Sequence, residues 1–136
     1  MSDNSPEAIR EMVAASPFHT WFGMTVIDVS DRVCDVAVDV TDHHRNLVGI
    51  THGGVVSTLA DTAIGLAVRT TLPGDTRHVT TQLQITFLEK VESGRLVAKG
   101  RCLRSGGKLA YGEADVVDAE GRLVARANAT FAVLRG

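Results

Sequence analysis

The stretch from Asn46 to Thr71 constrains the fold of this chain more than any other part of the sequence. It opens as a polar loop that ends in a His-Gly-Gly tripeptide, and the residues that follow are apolar on almost every side. A helix that is hydrophobic all round is normally buried. One carboxylate, Asp61, stands in the middle of this helix, and burying an unpaired carboxylate is costly. We therefore predict a buried central helix over about residues 54–71, in which Asp61 has a specific role.

Length and composition describe one domain that spans residues 1–136. The net charge is −2 and the sequence has no run of Lys or Arg, so we expect no nucleic-acid partner. The two cysteines form no CxxC pair and are expected to be reduced and buried. The polar N-terminus lacks a signal-peptide core, and no uninterrupted apolar run is long enough to span a membrane. These features predict a cytoplasmic protein without a membrane partner, with residues 1–4 flexible.

Hydrophobic periodicity predicts the remaining elements. Ser5-Pro6-Glu7 has the residue types of a helix start, and Ser16-Pro17 is expected to end this short N-terminal helix. Alternation of apolar and polar residues then predicts six strands. They cover residues 24–29, 32–41, 79–88, 95–103, 109–117 and 122–134. Because two helices are too few to alternate with the strands, we predict an α+β fold with a mostly antiparallel sheet.

The strand over residues 79–88 shows this alternation clearly. Val79, Leu83 and Phe87 fall on one face together with Thr81, and Thr80 falls on the opposite face. Thr80 is therefore predicted to face away from Leu83 and Phe87.

Small residues predict how the sheet and the central helix fit together. The late strands carry faces of alanine and glycine, which would let a sheet curl closely around the helix. These faces comprise Ala98 and Gly100, then Ala110, Gly112 and Ala114, and finally Ala125, Ala127 and Ala129. A sheet that wraps one helix keeps a second face and open edges, which a partner subunit usually covers.

The residues around Asp61 leave two interpretations open. With Thr58, Gly65 and Arg69 it forms one polar stripe along an otherwise apolar helix. Such a stripe suits a catalytic carboxylate. It also suits a structural pair of Asp61 with Thr58 or Arg69, buried at an interface.

The start of the helix also has two interpretations. No Ser, Thr, Asp or Asn stands at residues 52–54 to cap it, so its unpaired backbone N–H groups form a ready oxyanion site. Alternatively, glycine is a tolerable cap and water serves these groups. Asp61 lies roughly 12 Å further along the axis at 1.5 Å per residue, which favours an active site completed by a second chain.

The pattern N-x-x-G-x-x-H-G-G at residues 46–54, followed by Asp61, resembles that of the hotdog-fold acyl-CoA thioesterases. The resemblance covers nearly the whole chain and points to the PaaI-like, phenylacetate-pathway group of the 4-hydroxybenzoyl-CoA thioesterase superfamily. It implies a curved antiparallel sheet around one long helix, and hydrolysis of an aryl- or medium-chain acyl-CoA to free acid and CoA. It also implies no cofactor apart from the CoA of the substrate. The expected assembly is a homodimer with shared active sites, in a tetramer built as a dimer of dimers.

The resemblance assigns catalytic roles to matching positions. Asp61 would be the nucleophile or the general base, and Thr80 would place a hydroxyl beside it. The Gly53 N–H would polarise the thioester carbonyl, while Asn46 and His52 would orient the thioester or the water. In the expected dimer, Asp61 and Thr80 of one chain meet Asn46, His52 and Gly53 of its partner.

The predicted substrate-binding residues lie around this catalytic set. Gly54 and Thr58 belong to the first turns of the helix, and Arg104 and Lys108 would bind the CoA phosphates. Three clustered aromatic residues, Phe18, Trp21 and Phe22, would either line the acyl pocket or anchor the N-terminal helix to the sheet.

Histidine spacing argues against a metal site. His43, His44, His52 and His78 include no pair at i, i+4 helical spacing, and no cysteine lies near them. We therefore predict no metal and place His43 and His44 in a solvated loop.

Two other function classes are compatible with the same fold. A non-catalytic acyl-CoA or acyl-carrier binding module would keep the pocket and lose the acid, which Asp61 argues against. A hotdog enoyl-thioester hydratase would use a His and an acid in a local pattern that this sequence lacks.

Overall fold

The computed structural model describes residues 4–135, and the flexibility expected for residues 1–3 lies outside this range. Asn4 is held in place, because its side-chain amide donates to the carbonyl of Leu72 at 2.8 Å. Three α-helices and six strands follow one another along the described chain. They are α1 (Pro6–Ala15), α2 (Pro17–Phe22), β1 (Thr25–Ser30), β2 (Val33–Val40), α3 (Gly53–Arg69), β3 (Thr76–Phe87), β4 (Gly94–Ser105), β5 (Leu109–Val117) and β6 (Leu123–Arg135), with a 3-10 turn at Asp42–His44.

A second short helix, α2, follows α1 immediately and was not predicted. Ser16 ends α1 and caps α2 with its hydroxyl, while Pro17 takes the first position of α2. Gly23, with a φ of +88°, ends α2 in the left-handed conformation. The signal was present in the sequence, because a Ser-Pro pair starts a helix at residues 5–6 and does so again at residues 16–17.

The six strands form one sheet in the order β1-β2-β4-β5-β6-β3. Every neighbouring pair runs antiparallel, as predicted from the small number of helices. One face of the sheet curls around α3, whose apolar residues lie in the centre of the core. The other face carries the polar and charged residues of the strands.

α3 lies directly on the sheet because the strands beneath it carry glycine and alanine. A Cβ atom on Gly100 would stand 2.4 Å from the carbonyl carbon and oxygen of Ala63, a distance that no real side chain adopts. A Cβ atom on Gly112 would stand 2.7 Å from the Cγ2 atom of Ile64. The alanines of these strand faces are all buried as well. The predicted close fit between small residues and the central helix is therefore confirmed.

β3 departs from strict alternation at a β-bulge. Its pairing with β6 shifts register between Thr80 and Gln82, so that Thr81 stands as the extra residue. As a result, Thr80 faces α3 on the same side as Leu83, while Val79 points to the outer face. The expected face assignment for Val79, Thr80 and Thr81 is wrong, because one inserted residue exchanges the two faces.

His44 is buried, whereas its sequence context predicted a solvated loop. It is 2% exposed. Its Nδ1 atom accepts the Thr41 N–H at 2.9 Å, so its Nε2 atom donates to the Phe22 carbonyl at 2.6 Å. Because both ring nitrogens bond to backbone groups, His44 ties the end of β2 to the end of α2. Its neighbour His43 is exposed, as expected.

The two cysteines are free thiols inside the core, as predicted. Burial raises the pKa of Cys34 to about 12, with the nearby Asp35 carboxylate acting in the same direction. Burial also raises the pKa of Cys102. Both thiols therefore remain protonated near neutral pH.

One side of the chain is left open. β1 and β3 are the two edge strands, and β3 is exposed over most of its length. The flank of α3 beside β3, which carries Asp61, Gly65 and Arg69, is only half-buried. No helix within residues 4–135 is long and apolar enough to cross a membrane.

We expect Gly100→Ala to destabilise the fold by about 3 kcal/mol or more, because its methyl group would meet the backbone of α3 and neither can move easily. Urea denaturation followed by circular dichroism measures this change. Gly107→Ala is the control, since its methyl group would meet only the end of the Arg135 side chain at 3.9 Å. It should change stability by about 0.5 kcal/mol or less. Equal effects of the two substitutions would contradict the close helix–sheet contact.

Candidate active site

The loop before α3 is held by the side chain of Asn46. Its Oδ1 atom accepts the backbone N–H of Val48 at 3.0 Å and that of Ile50 at 3.2 Å. Since both donors are backbone N–H groups, they define which side-chain atom is the oxygen. The amide nitrogen of Asn46 then has no acceptor within residues 4–135. Asn46 can therefore shape the loop with its oxygen and donate to a ligand with its nitrogen.

His52 caps α3, which corrects the expectation of an uncapped helix. Its Nδ1 atom accepts the N–H of Gly54 at 2.7 Å. A neutral ring in this position carries its proton on Nε2, where it can act as a donor. A Cβ atom on Gly54 would stand 2.9 Å from Nδ1, so glycine at this position leaves room for the cap. The sequence rules missed this cap because histidine is not among the preferred capping residues.

The Gly53 N–H remains without an acceptor in the described part of the chain. The carbonyl of His52 receives the N–H groups of Val55 and Val56, as is normal for the first turn of a helix. The helix start therefore presents one free backbone donor at Gly53 beside the side-chain donor of His52. This is the donor arrangement that an oxyanion site needs.

Asp61 bonds to a neighbouring strand rather than to its own helix. The hydroxyl of Thr80 in β3 donates to Oδ1 of Asp61 at 2.8 Å. The bulge in β3 makes this contact possible, because it turns Thr80 towards α3. Asp61 is half-buried rather than buried as predicted, since it faces the open flank of the single chain.

The structural pairs considered for Asp61 are not formed. Thr58 donates instead to the carbonyl of Gly54 at 2.8 Å, within its own helix. Arg69 forms no ion pair within residues 4–135, and its Nε atom is buried without an acceptor there. The second carboxylate oxygen of Asp61 is therefore free to meet a ligand.

His78 lies next to Asp61, a position to which the sequence analysis gave no role in the site. Its Nε2 atom bonds to the carbonyl of Gly65 at 2.8 Å. Burial lowers the pKa of His78 and the Arg69 charge lowers it further, while the bond to Gly65 and the Asp61 charge act in the opposite direction. The ring is therefore neutral near pH 7 and holds β3 against α3 beside the carboxylate.

The two halves of the candidate site are separated along α3. Gly53 and Asp61 stand on the same helix, about 12 Å apart along its axis. The structure therefore places Asn46, His52 and Gly53 together at one end, and Asp61 with Thr80 two turns further on. A single carbonyl carbon cannot contact both groups within one chain.

Arg104 and Lys108 lie at the other end of α3. Both are exposed, and neither forms an ion pair within the described residues. Ser105, beside Arg104, accepts the hydroxyl of Thr71 just after the end of α3 at 2.7 Å. Arg135 approaches the same β4–β5 turn. These residues form a basic surface that is remote from the Gly53 of their own chain.

Within residues 4–135, no group of three or more His, Cys, Asp or Glu side chains is placed to hold a metal ion. The site consists of hydrogen-bond donors and one carboxylate. Its chemistry would therefore be carbonyl polarisation combined with activation of water or direct attack by the carboxylate.

We expect His52→Ala to lower the free energy of unfolding by about 1 kcal/mol, because the N–H of Gly54 loses its cap. His52→Asn should restore most of this loss, since asparagine is a preferred capping residue. Thermal unfolding of the three proteins measures the difference. An alanine variant as stable as the wild type would mean that this cap contributes nothing.

Residues 48–125, more than half of the chain, match the family model of the thioesterase superfamily. Human acyl-coenzyme A thioesterase 13 is 27% identical over 133 residues, which cover 96% of this chain and 94% of that protein.

Solved structures show the same architecture. A thioesterase from Haemophilus influenzae superposes with a TM-score of 0.87 over 95% of this chain and 90% of its own, at 21% identity. A variant of the phenylacetic acid degradation protein PaaI from Thermus thermophilus superposes with a TM-score of 0.79 at 29% identity, over 86% of this chain and 98% of its own. The predicted hotdog fold is thus confirmed. The chain belongs to the thioesterase superfamily and is a thioester hydrolase.

Proposed function

We propose that the protein hydrolyses the thioester of an aryl- or medium-chain acyl-CoA to free acid and CoA. The observation that carries this proposal is the Thr80–Asp61 hydrogen bond of 2.8 Å, which presents a carboxylate on the open flank of α3. The similarity to a human acyl-coenzyme A thioesterase and to a PaaI protein supports the substrate class and the PaaI-like group.

The start of α3 would bind the thioester carbonyl. The Gly53 N–H has no acceptor among residues 4–135, and Nε2 of His52 and the amide nitrogen of Asn46 are further donors nearby. Donors that are already in place stabilise the negative charge that develops on the carbonyl oxygen during attack. The exposed backbone of Gly54 lets the substrate approach this turn closely.

Asp61 would either attack the thioester carbonyl carbon itself or activate the water molecule that does so. As a general base, its free oxygen takes a proton from water while the water oxygen bonds to the carbonyl carbon. The C–S bond then breaks, and the CoA sulfur leaves with a proton returned from Asp61. As a nucleophile, the same oxygen would bond to the carbonyl carbon while the C–S bond breaks and the CoA thiolate leaves, which gives a mixed anhydride. Water then hydrolyses this anhydride to the free acid and the Asp61 carboxylate. In both cases Thr80 orients the carboxylate through its other oxygen.

We further propose that two chains complete each active site. Asn46, His52 and Gly53 of one protomer would meet Asp61 and Thr80 of its partner, because about 12 Å separates the two groups within one chain. The exposed edge strand β3 and the half-buried flank of α3 are suited to this homodimer. A dimer of two such dimers would give the tetramer.

The CoA moiety would extend away from the reacting carbon. Arg104 and Lys108 are exposed and form no ion pair within residues 4–135, which suits binding of the CoA phosphates. Thr58 lies along the surface between the two ends of the helix. The reaction needs no cofactor beyond the CoA of the substrate, and we propose the cytoplasm as its place.

Asp61→Asn should lower kcat on the order of 10³-fold, since it removes the only carboxylate of the site. A thiol reagent that reports released CoA, with a panel of aliphatic and aryl acyl-CoAs, measures this loss. If the wild type releases no more thiol than the variant with any acyl group, hydrolysis of acyl-CoA is excluded. Binding of acyl-CoA without such release would favour the non-catalytic binding module.

Thr80→Val keeps the shape of the side chain and removes its hydrogen bond to Asp61. We expect kcat to fall about tenfold or more, because hydrogen bonds to charged groups are the stronger class. Thr86→Val is the matched control, since Thr86 lies on the outer face of the same strand. Equal rates for the two variants would remove Thr80 from the catalytic set.

A mixing experiment tests whether the site is shared. Gly53→Pro removes the backbone donor, and proline is tolerated at the first position of a helix. Asp61→Asn and Gly53→Pro chains, refolded together, should recover up to about a quarter of wild-type activity, because each mixed dimer has one intact site. No recovery in dimers shown to be mixed, or full activity of a monomer, would contradict the shared site.

A further inference from the structure

A cavity of about 400 Å³ opens beside Gly53, and Asn46 and Gly53 of the proposed carbonyl site form part of its lining. The loop before α3 and the first turn of the helix form one wall, and the end of β3 with the segment after it forms the other. Its apolar lining residues are Ile50, Val56, Phe87, Leu88, Val91 and Val124. This size lies within the range of pockets that bind small molecules.

Phe87 stands at the boundary between this cavity and the proposed oxyanion site. A Cβ atom on Gly53 would lie 3.2 Å from Cζ of Phe87, so the tip of the ring packs against the glycine. Because of the bulge in β3, Phe87 lies on the same side of the strand as Thr80 and faces α3. The ring is nevertheless 52% exposed, which is unusual for a large aromatic side chain that already has one packing partner.

We propose that this cavity binds the acyl group and that Phe87 determines which acyl groups fit. The inference rests on the proposed thioesterase function. A carbonyl oxygen bonded to the Gly53 N–H has the Phe87 ring beside it, and the apolar tail continues from there into the cavity. The Phe87 ring then forms the cavity wall next to the first carbons of the acyl tail. The size of the ring limits how bulky this part of the tail can be.

The lining also defines the chemistry of the tail. Val56, Val91 and Val124 are 4%, 7% and 1% exposed, so a tail among them is removed from water. Glu89 and Lys90 also line the cavity, but their side chains are at least half exposed and form ion pairs, Lys90 with Glu92 at 3.7 Å and Glu89 with Arg122 at 4.0 Å. A tail that ends in a carboxylate would lose its hydration without gaining a partner. The cavity therefore selects uncharged, apolar acyl groups.

The aromatic cluster of α2 is the competing location for the tail. Phe18 and Trp21 are exposed there and Trp21 packs against His43, but none of them lines the cavity beside Gly53. Phe18 is 51% exposed, almost the same as Phe87. Phe18→Ala and Phe87→Ala therefore each remove a phenylalanine side chain of nearly equal exposure. One comes from the aromatic cluster of α2 and the other from the cavity beside Gly53.

The experiment measures kcat/KM of the wild type and both variants with saturated acyl-CoAs from acetyl to dodecanoyl, and with phenylacetyl-CoA. Phe87→Ala should raise the ratio of kcat/KM for long or aryl tails to that for short tails by about tenfold, the effect of a changed apolar pocket. Phe18→Ala should leave the ratio as in the wild type. Succinyl-CoA should be a poorer substrate than butyryl-CoA for all three proteins.

Two further variants keep the test decisive if Phe87→Ala fails to fold. Phe87→Leu should shift the ratio in the same direction by less, and Phe87→Trp should shift it towards short tails. An unchanged ratio in the Phe87 variants, or a shift in Phe18→Ala instead, overturns the assignment of the tail to this cavity. A wild type that hydrolyses none of the acyl-CoAs would instead mean that the thioesterase function itself fails.

Discussion

The close contact between α3 and the sheet is the constraint on which the rest of this structure depends. At Gly100 the strand backbone approaches the α3 backbone so closely that no Cβ atom fits between them. Such contact lets the sheet curl around the helix and bury its apolar side chains on three sides. It also leaves the fourth side of α3, beside the edge strand β3, without a cover in the single chain. The candidate catalytic carboxylate lies on that uncovered side.

The β-bulge at Thr81 connects this architecture to the chemistry. One extra residue in β3 brings the Thr80 hydroxyl to Asp61 and the Phe87 ring to Gly53. Both contacts join β3 to α3, one at the middle of the helix and one at its first residue. The strand that is open for pairing with a second chain is therefore also the strand that positions the carboxylate and, in our proposal, the acyl group.

Much of the fold and half of the site geometry could be predicted from the sequence. The six strands, the long helix and the sheet faces made of small residues followed from periodicity and residue size, which are local properties. The separation of Gly53 from Asp61 followed from the rise of a helix. The bulge and the burial of His44 could not be predicted, because each depends on where distant backbone groups lie. The His52 cap is a local contact, and it was missed because histidine is not a preferred capping residue.

The sequence by itself thus determined that one acidic residue lies in an apolar helix, two turns beyond a start that contains two glycines. This was possible because helical geometry and side-chain chemistry depend on the local order of the residues. Only the tertiary structure decided what that acid contacts. It is half-exposed and bonded to Thr80, rather than buried and paired with Thr58 or Arg69, since a single inserted residue in β3 exchanges the faces of that strand. Alternation fixes which residues share a face, but a bulge is set by the pairing between strands.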